Sequence, residues 1–347
     1  MKKIVIACDS YKGCLSSSEV SGAVAEGVSG VYPDCEVVRL AVADGGEGTV
    51  EALVDTLGGH LEWAEVSDPL GRPVRAAYGM AGDLAIIESA AACGLTLLSK
   101  EERNPLIATT KGLGELILAA VDKGCRRFLI GLGGSATNDG GMGMIGVEGF
   151  LAKTRGLQFT IACDVDTPYI GRNGASRVFG PQKGASCRDV EVLEERLCGY
   201  ALKILKDTGI DVSDMPGAGA AGGLGGAFRA YLGAELKRGV DLVLDQIGFD
   251  SVIAGADLVI TGEGCSDYQT MKGKTAAGVL ERAGRQHIPV VLVSGAIRDE
   301  KMLRDSGFRI VEAVTPPTMS LEEAMRPETA KRLVAIATRN ILHHFCI

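Results

Sequence analysis

Glycine-rich stretches that contain carboxylates follow several apolar runs of the sequence. The richest is GLGGSATNDGGMGM (131–144), which comes directly after RRFLI and holds six glycines, three hydroxyl or amide side chains and one carboxylate, Asp139. Bare N–H groups and small hydroxyls at a strand end bind phosphate oxygens. Glycines also serve purely structural turns that need a positive φ. The stretch by itself leaves both interpretations open.

Three further predicted strand ends carry acids and hydroxyls, and the first and third of them also carry lysines. They are CDSYKG (8–13), ADGGEGT (43–49) and TGEGCSDYQTMKGKT (261–275). Ligands of an open α/β sheet bind beyond the carboxyl ends of its strands, where the strand order reverses. A structural turn would need only Gly, Asn or Ser. These stretches therefore predict a site at one edge of a sheet.

Two more motifs, ACDVDTP (162–168) and FGPQKGAS (179–186), add Asp164 and Lys183. Phosphoryl transfer needs backbone donors and lysines for the phosphates, carboxylates for Mg²⁺, and one acid that orients or deprotonates the acceptor hydroxyl. The sequence lacks a P-loop, because Tyr268 stands where the first glycine of that signature should be. The histidines lie outside the polar motifs, which argues against histidine catalysis.

Two other functions remain open on these motifs. GLGGSA (131–136) matches the dinucleotide fingerprint G-x-G-x-x-A, with Asp164 as the ribose ligand, which would make the protein an NAD(P)-dependent dehydrogenase of a small hydroxy acid. The residues after Ala136 are too rich in glycine for the helix that this fingerprint requires. A non-catalytic protein that binds a small anion is the second alternative.

The apolar periodicity predicts an α/β protein. Strands are predicted at KIVIAC (3–8), CEVVRLAV (35–42), ADLVIT (256–261), PVVLVS (289–294) and FRIVEAV (308–314). Five strands in β-α-β order are the count of a flavodoxin-like doubly wound parallel sheet. Ser16 and Glu19 form a capping box before the first helix. We predict a discontinuous flavodoxin-like (Rossmann-like) domain from residues 1–60 and 250–347, interrupted by an inserted α/β domain, 61–249, that carries the glycine-rich loop.

Composition excludes several classes of partner. The formal net charge of −8 and the absence of a basic run exclude a nucleic-acid surface. Asp9 ends the N-terminal apolar stretch far short of a signal-peptide core, and no uncharged apolar run approaches the ~18 residues of a transmembrane helix. The ten scattered cysteines form no C-x-x-C pair, which fits buried thiols in a reducing compartment. We expect a cytoplasmic monomer or homodimer that binds neither nucleic acid nor membrane.

Seven motifs together resemble those of the type-1 glycerate kinase family, in order and over nearly the whole chain. They are ACDSYKG, ADGGEGT, GGSATNDGG, ACDVDTP, GPQKGA, GAGAAGG and TGEG…D.QT..GK. The resemblance implies ATP-dependent and Mg²⁺-dependent phosphorylation of D-glycerate. It also implies a cleft between a flavodoxin-like domain and an inserted α/β domain as the site. We expect the product to be 2-phosphoglycerate.

The motifs and the resemblance together assign roles to particular residues. The catalytic candidates are Asp164, Asp139, Lys12 and Asp44, of which Asp139 and Asp164 are also the expected Mg²⁺ ligands. The nucleotide-binding candidates are Gly133, Gly134, Ser135, Thr137, Asn138, Lys183, Gly219 and Gly222. The substrate-binding candidates are Asp9, Ser10, Lys12, Glu47, Glu263, Asp267, Gln269 and Lys274. The base stays open among Asp164, Asp9 and Asp44. For the Gly/Ala stretch 217–227, close helix packing and a second phosphate-facing loop stay equally open.

The sequence departs from the family pattern at two places. Only residues 145–161 separate GGMGM from ACDV, where the family usually has a longer segment. Cys265 stands where the family often has an arginine after TGEG. If that arginine binds the substrate carboxylate or a phosphate, Lys12 or Lys274 is expected to replace it.

Overall fold

The computed structural model describes residues 1–46 and 48–345. Its strands are, in chain order, β1 Lys3–Cys8, β2 Glu36–Ala41, β3 His60–Ser67, β4 Pro73–Ala81, β5 Leu84–Glu88, β6 Arg127–Gly131, β7 Gln158–Ala162, β8 Glu235–Lys237, β9 Leu258–Gly262, β10 Cys265–Ser266, β11 Val290–Ser294, β12 Ala296–Ile297 and β13 Ile310–Ala313. Its α-helices are α1 Ser17–Ser29, α2 Thr49–Leu57, α3 Ala90–Cys93, α4 Lys111–Asp122, α5 Met142–Ile145, α6 Phe150–Lys153, α7 Ala175–Phe179, α8 Cys187–Thr208, α9 Ala220–Leu232, α10 Gly239–Gln246, α11 Phe249–Val252, α12 Thr275–Arg285, α13 Glu300–Asp305, α14 Leu321–Ala324 and α15 Pro327–His344. In the part of the chain that the structure describes, no helix is both long enough and apolar enough to cross a membrane.

The chain folds as two compact units. The first comprises Met1–Asp44, Asp55–Leu57 and Val240–Ile347, and the second comprises Gly45–Val54 and Gly58–Gly239. The first unit is discontinuous, as a domain interrupted by an insertion must be. The predicted domain limits at 60/61 and 249/250 differ from the limits of the units. Gly45–Val54 belongs to the second unit, and the first unit resumes at Val240, inside α10. The predicted domain boundaries therefore stay a prediction.

The first unit is built on a five-stranded parallel sheet in the order β13-β11-β9-β1-β2. Counted along this unit, the order is 2-1-3-4-5, that of flavodoxin-like folds. Both faces of the sheet are covered, which is why its strands are continuous apolar runs: Ile4, Val5 and Ile6 of β1 are fully buried. The predicted fold class, α/β with a flavodoxin-like doubly wound sheet, is confirmed.

Helix α1 begins at the predicted capping box. Ser16 Oγ accepts a hydrogen bond from the Glu19 amide at 3.2 Å, and the Glu19 carboxylate accepts one from the Ser16 amide at 3.0 Å. Further along, a Cβ at Gly27 would lie 2.7 Å from both the Ala335 carbonyl and Thr338 Cβ of α15. Glycine therefore lets α1 and α15 pack closely over the same face of the sheet.

The second unit is built on a six-stranded mixed sheet in the order β3-β4-β5-β6-β7-β8. Strands β3, β4 and β5 pair antiparallel, and β5 to β8 pair parallel. Helices α4 and α9 share one apolar core with this sheet. Because the parallel strands run in register, with Glu88 opposite Gly131 and Gly131 opposite Ala162, the loops after β5, β6 and β7 leave the sheet at one edge.

Candidate active site

A cavity of about 390 Å³ lies at the carboxyl edge of the first unit's sheet. Strands β1 and β9 bring two acids to it: Cys8 pairs with Gly262 in parallel register, and the amide of the next residue, Asp9, donates to the Gly262 carbonyl at 2.9 Å. The predicted site residues that line the cavity are Asp9, Ser10, Lys12, Asp44, Glu263 and Lys274. The structure thus brings together the three polar strand ends of the first unit, while their roles stay predictions. Glu47 lies outside the described residues.

Asp9 is a deeply buried acid of this cavity, with 5 % of its surface exposed. Its Oδ2 accepts a hydrogen bond from Thr275 Oγ1 at 2.6 Å, and its Oδ1 accepts one from the Ser10 amide at 2.7 Å. Burial raises the pKa of Asp9 to about 6, and the Asp44 carboxylate adds to the rise, whereas the two hydrogen bonds and Lys12 oppose it. A carboxylate with a pKa this close to neutrality is suited to accept a proton from a substrate hydroxyl.

Glu263 is anchored on one side and faces a cation on the other. Its Oε1 accepts hydrogen bonds from Ser266 Oγ at 3.0 Å and from Thr270 Oγ1 at 2.5 Å. Ser266 Oγ is itself hydrogen-bonded to Ser294 Oγ at 2.7 Å. Oε2 accepts a hydrogen bond from Lys274 Nζ at 3.5 Å. These contacts fix the carboxylate, and through it the ammonium of Lys274, at the wall of the cavity.

Both lysines that were expected to replace the family arginine lie at the cavity. Lys12 is exposed, and Lys274 is partly buried at the N-cap position of α12. Cys265, which occupies the arginine position, lines the same cavity. A substrate anion in this cavity would therefore meet two ammonium groups even though the arginine is missing.

Two predicted substrate ligands, Asp267 and Gln269, are not among the residues that line the cavity. Asp267 Oδ1 accepts a hydrogen bond from the Gln269 amide at 2.8 Å, and the Asp267 amide donates to Thr270 Oγ1 at 3.0 Å, which closes a local turn. Gln269 is exposed, and its Nε2 donates to Tyr268 Oη at 3.3 Å. Both side chains shape the loop before α12, and contact with substrate stays a prediction for them.

In the second unit, the loop after β6 presents backbone amides to solvent. Gly133 and Gly134 are exposed, and Gly134 adopts a φ of +73°. No group in residues 1–46 or 48–345 accepts a hydrogen bond from the amides of Gly133, Gly134 or Ser135. Unpaired N–H groups after a strand are the main requirement of an anion-binding loop. This exposure supports the phosphate interpretation of the motif, and binding itself stays a prediction.

We expect Gly133→Val to raise the KM for ATP by about tenfold or more, because a branched side chain would keep phosphate oxygens from the amides. The fold should tolerate the change, because among the described residues a Cβ at Gly133 would approach only Gly46 Cα, at 3.7 Å. Steady-state kinetics and thermal unfolding test this expectation. Gly134→Val is a less selective variant, because its φ is positive and its Cβ would lie 3.2 Å from Ala90 Cβ. An unchanged KM in correctly folded Gly133→Val would contradict a phosphate contact.

Buried polar groups brace this loop from behind. Ser135 Oγ and Thr137 Oγ1 are hydrogen-bonded at 2.9 Å, and Lys183 Nζ donates to the Thr137 carbonyl at 2.6 Å. Burial lowers the pKa of Lys183 to about 8. Asn138 is fully buried, and its Nδ2 donates to Ser176 Oγ at 3.1 Å. These contacts show how the loop is held, and phosphate contacts by Thr137, Asn138 and Lys183 stay predictions.

The Gly/Ala stretch 217–227 packs closely against the glycine-rich loop. A Cβ at Gly222 would collide with the Thr137 carbonyl, and the φ of Gly222 is +74°. The amide of Gly219 donates to the Thr167 carbonyl at 2.9 Å, and that of Gly222 donates to the Gly219 carbonyl at 3.1 Å. Close packing therefore accounts for these glycines. Both amides already donate to carbonyls of the protein, and contact of Gly219 and Gly222 with the nucleotide stays a prediction.

Asp139 is held by five hydrogen bonds from the protein. Its Oδ2 accepts from the Thr110 amide at 2.8 Å, from Thr110 Oγ1 at 3.0 Å, from Thr109 Oγ1 at 3.3 Å and from the Gly143 amide at 3.1 Å. Its Oδ1 accepts from the Gly141 amide at 3.1 Å. A carboxylate offers only about four acceptor sites. These contacts tie the start of α4 to the glycine-rich loop, and binding of Mg²⁺ by Asp139 stays a prediction.

We therefore expect Asp139→Asn to lower the free energy of unfolding by about 2–4 kcal/mol, because a side-chain NH₂ would face backbone donors that are then unpaired. Chemical denaturation measures this change. Asp122→Asn on α4 is the matched control, because the Asp122 side chain is 61 % exposed and pairs with the exposed Lys153. The control should stay within about 0.5 kcal/mol of wild type. A fully stable Asp139→Asn variant with a large loss of kcat would restore the metal role.

Asp164 is exposed at the end of β7, and its Oδ1 accepts a hydrogen bond from the Gly239 amide at 2.8 Å. Within the described ranges, no group of three or more His, Cys, Asp or Glu residues is placed to hold a metal ion. Mg²⁺ at phosphate sites usually takes only one or two carboxylates, with substrate phosphates and water as its other ligands. Binding of the ion by Asp164 therefore stays a prediction.

Sequence reasoning missed several groups that hold the acids in place. Thr275 bonds Asp9 and Thr270 bonds Glu263, although both threonines stand inside a motif that had been singled out. Glu88, the last residue of β5, accepts a hydrogen bond from the Val50 amide at 3.2 Å. Burial raises the pKa of this carboxyl. Glu88 could have been found in the sequence as an acid within the apolar run LAIIES. In the structure, β5 ends at the same edge of the second unit's sheet as β6 and β7.

The first unit has a cavity with buried acids and two lysines, and the second unit has a loop with exposed glycine amides. These are groups that phosphoryl transfer requires, and they place the protein among the phosphotransferases. Comparison with known sequences narrows this class. The chain belongs to the glycerate kinase family, whose sequence model matches residues 4–151 and 145–346. The resemblance drawn from the seven motifs is confirmed.

Relatives and a solved structure agree with this membership. The chain is 44 % identical to a glycerate kinase of Bacillus subtilis (strain 168), with 93 % of this chain and 92 % of the relative aligned. It is 42 % identical to a glycerate 2-kinase of Escherichia coli (strain K12), over 98 % and 97 % of the two chains. A crystal structure of a proposed glycerate kinase 2 from Salmonella typhimurium LT2 matches 99 % of this chain and 98 % of its own, with a TM-score of 0.88 at 40 % identity. The dehydrogenase and anion-binding alternatives receive no support.

The comparisons also bear on the short segment 145–161. The family matches as two stretches that overlap at 145–151, and the alignment with the Escherichia coli relative runs over 370 positions, more than the 347 residues of this chain. Some residues of that relative therefore have no counterpart in this chain. In the structure, the segment forms α6 between two glycines with positive φ, Gly149 and Gly156, and leads directly into β7.

Proposed function

We propose that this protein transfers the γ-phosphoryl group of ATP to the 2-hydroxyl of D-glycerate and releases ADP and 2-phosphoglycerate. The observation that carries the proposal is the cavity that brings the buried Asp9 together with Lys12 and Lys274. The substrate comes from the family, because relatives that align over nearly the whole chain are named glycerate kinase and glycerate 2-kinase.

Glycerate fits the charges of this cavity. Its carboxylate would pair with Lys12 and Lys274, since charge-assisted hydrogen bonds are the strong ones. The anchored carboxylate of Glu263 would accept a hydrogen bond from one of its hydroxyls, and the Ser10 hydroxyl would donate to or accept from the other. The remaining predicted substrate ligands are Glu47, Asp267 and Gln269. Their support comes from the sequence motifs alone.

Asp9 would act as the general base. As the substrate oxygen bonds to the γ-phosphorus, the bond to the bridging oxygen of ADP breaks, and the hydroxyl proton passes to Asp9. Because the pKa of Asp9 is about 6 in the folded protein, kcat/KM should rise with pH through about 6 and level off above it. Asp44 helps to set that pKa, and Asp164 is the competing base. The turnover of an Asp9→Asn variant separates the two.

The phosphates of ATP would be held by the amides of Gly133, Gly134 and Ser135, with Lys183 supporting the loop through the Thr137 carbonyl. Mg²⁺ would be held by Asp164, and when bound it neutralises charge on the phosphate oxygens during transfer. We do not assign Asp139 to the ion, because donors of the protein, among them the Thr110 and Gly141 amides, already bond to its carboxylate.

We also propose a reducing, cytoplasmic location. Its support is that the nine cysteines within residues 1–46 and 48–345 are all unpaired. A monomer or homodimer remains the prediction for the oligomeric state.

An assay of ADP release tests the proposed function. We expect turnover with ATP, Mg²⁺ and D-glycerate together, and only background release when D-glycerate is omitted. Nicotinamide absorbance with NAD⁺ or NADP⁺ in place of ATP should stay constant. ATP turnover that does not depend on glycerate, or reduction of a nicotinamide, would overturn the assignment.

A further inference from the structure

The cavity of the first unit has a second, apolar half. Its polar half holds the acids and lysines described above. The rest of the lining includes aliphatic side chains and a thioether: Val314, Leu321, Ala324, Met325, Ala330 and Leu333. Val314 directly follows β13, and the other five belong to α14, to α15 and to the turn between these helices. The two halves form one continuous space.

The space is larger than a three-carbon acid requires. A cavity of about 390 Å³ falls in the size range that encloses drug-sized ligands. A glycerate molecule held by Lys12 and Lys274 would occupy the polar half and leave the apolar wall facing water. An apolar wall that continues directly from a charged anchor matches a ligand that is charged at one end and alkyl at the other.

Met325 stands at the junction of the two halves. A Cβ at Gly13, the residue after Lys12, would lie 3.5 Å from Met325 Cε, so the thioether end reaches the turn that carries Lys12. The Met325 side chain is 38 % exposed and that of Leu321 is 74 % exposed. Methionine is unbranched and adapts to groups of different shape, which is why it recurs at surfaces that accept several ligands.

We propose that the apolar half accepts an alkyl substituent on C3 of the substrate, so that the enzyme also phosphorylates 2,3-dihydroxycarboxylic acids longer than glycerate. This inference rests on the proposed function. The chemistry is the same transfer: the substrate oxygen bonds to the γ-phosphorus, the bond to ADP breaks, and the hydroxyl proton goes to Asp9. The alkyl group adds binding by leaving water for the aliphatic wall.

The first test compares D-glycerate with D-2,3-dihydroxybutanoate and D-2,3-dihydroxypentanoate as substrates of the wild-type protein. Each added methylene should lower KM by about fourfold, the effect of removing one CH₂ from water. Longer acids that are not phosphorylated would overturn the proposal while glycerate turnover persists. Absence of glycerate turnover would instead overturn the proposed function, so the two failures are distinguishable.

The second test fills the apolar half. Met325→Trp should raise KM for the pentanoate by about tenfold or more while leaving KM for glycerate and ATP within about twofold of wild type. Leu321→Trp is a second variant, at a side chain so exposed that the fold should accept it, and should act in the same direction. Leu202→Trp on α8, where the side chain is 69 % exposed, is the matched control and should change nothing. A raised KM for ATP would overturn the proposal by placing the nucleobase in this half, as would equal effects on glycerate and pentanoate.

Discussion

Asp9→Asn lowers kcat by about a hundredfold or more, the usual size of a general-base contribution. The amide is close in shape to the carboxylate and can still bond Thr275 and the Ser10 amide, so the cavity keeps its geometry. What it loses is the ability to take the hydroxyl proton. Steady-state kinetics at saturating ATP, Mg²⁺ and glycerate measure the loss. Turnover near that of wild type would transfer the role of base to Asp164.

The same substitution should not destabilise the protein at pH 7. The pKa of Asp9 rises from its ordinary 3.8 to about 6 on folding, so the folded state binds the proton more tightly than the unfolded chain. The free energy of unfolding therefore falls as pH rises from about 4 through 6, and at pH 7 the buried charge costs roughly 3 kcal/mol. Asn carries no such charge. A thermal midpoint equal to or above that of wild type at pH 7 is the expected result, and a marked decrease would contradict it.

Thr275→Val tests the role of the Asp9 carboxylate while leaving Asp9 itself unchanged. The hydrogen bond from Thr275 lowers the pKa of Asp9, so its removal should move the acidic limb of the kcat/KM profile to higher pH. Thr275→Ser keeps the hydroxyl and should restore the wild-type profile. A loss of activity with an unshifted pH profile would assign Thr275 a purely structural role.

The second large effect concerns the cation that faces the substrate. Lys12→Met raises the KM for D-glycerate by roughly ten- to a hundredfold, because a charge-assisted hydrogen bond to a carboxylate contributes about 1.5–3 kcal/mol. Lys12 is exposed, so the thermal midpoint should not change. Lys12 also lowers the pKa of Asp9, and its removal should move the acidic limb of the pH profile upward. The KM for ATP should stay close to that of wild type.

Two further variants make this result specific. Lys12→Arg keeps the charge and should retain most of the affinity for glycerate. Lys100→Met removes an exposed lysine of the second unit and should leave all kinetic constants unchanged. If Lys12→Met alters the KM for ATP instead of that for glycerate, the cavity binds the nucleotide and the substrate assignment is wrong.

The sheet of the first unit could be predicted because its determinants are local. Continuous apolar runs mark strands that are buried on both faces, and the Ser16–Glu19 capping box marks the start of α1. Asp9 and Glu263 directly follow β1 and β9, which are neighbouring parallel strands. Because such strands end at the same edge of a sheet, the sequence was enough to predict that the two acids lie together. These features depend on a few residues that are close in sequence.

The environment of each site residue could not be predicted, because the partners are distant in sequence. The sequence around Asp139 predicted a metal ligand. Its hydrogen bonds to the amide and hydroxyl of Thr110 form only in the folded chain, because the two residues are distant in sequence. Lys183 was expected to meet phosphate, and its Nζ donates to the Thr137 carbonyl inside the protein. The Gly/Ala stretch 217–227 was open between two roles, until the approach of Gly222 to the Thr137 carbonyl showed a packing function.

Phosphorus NMR of the reaction product shows which hydroxyl of D-glycerate receives the phosphoryl group. With ATP, Mg²⁺ and D-glycerate, we expect one new phosphoester resonance that splits into a doublet, because the phosphorus of 2-phosphoglycerate couples to the lone proton on C2. Transfer to the other hydroxyl would give a triplet from the pair of protons on C3, and would contradict the proposed position of attack. A spectrum that shows only ADP and inorganic phosphate would contradict glycerate phosphorylation itself.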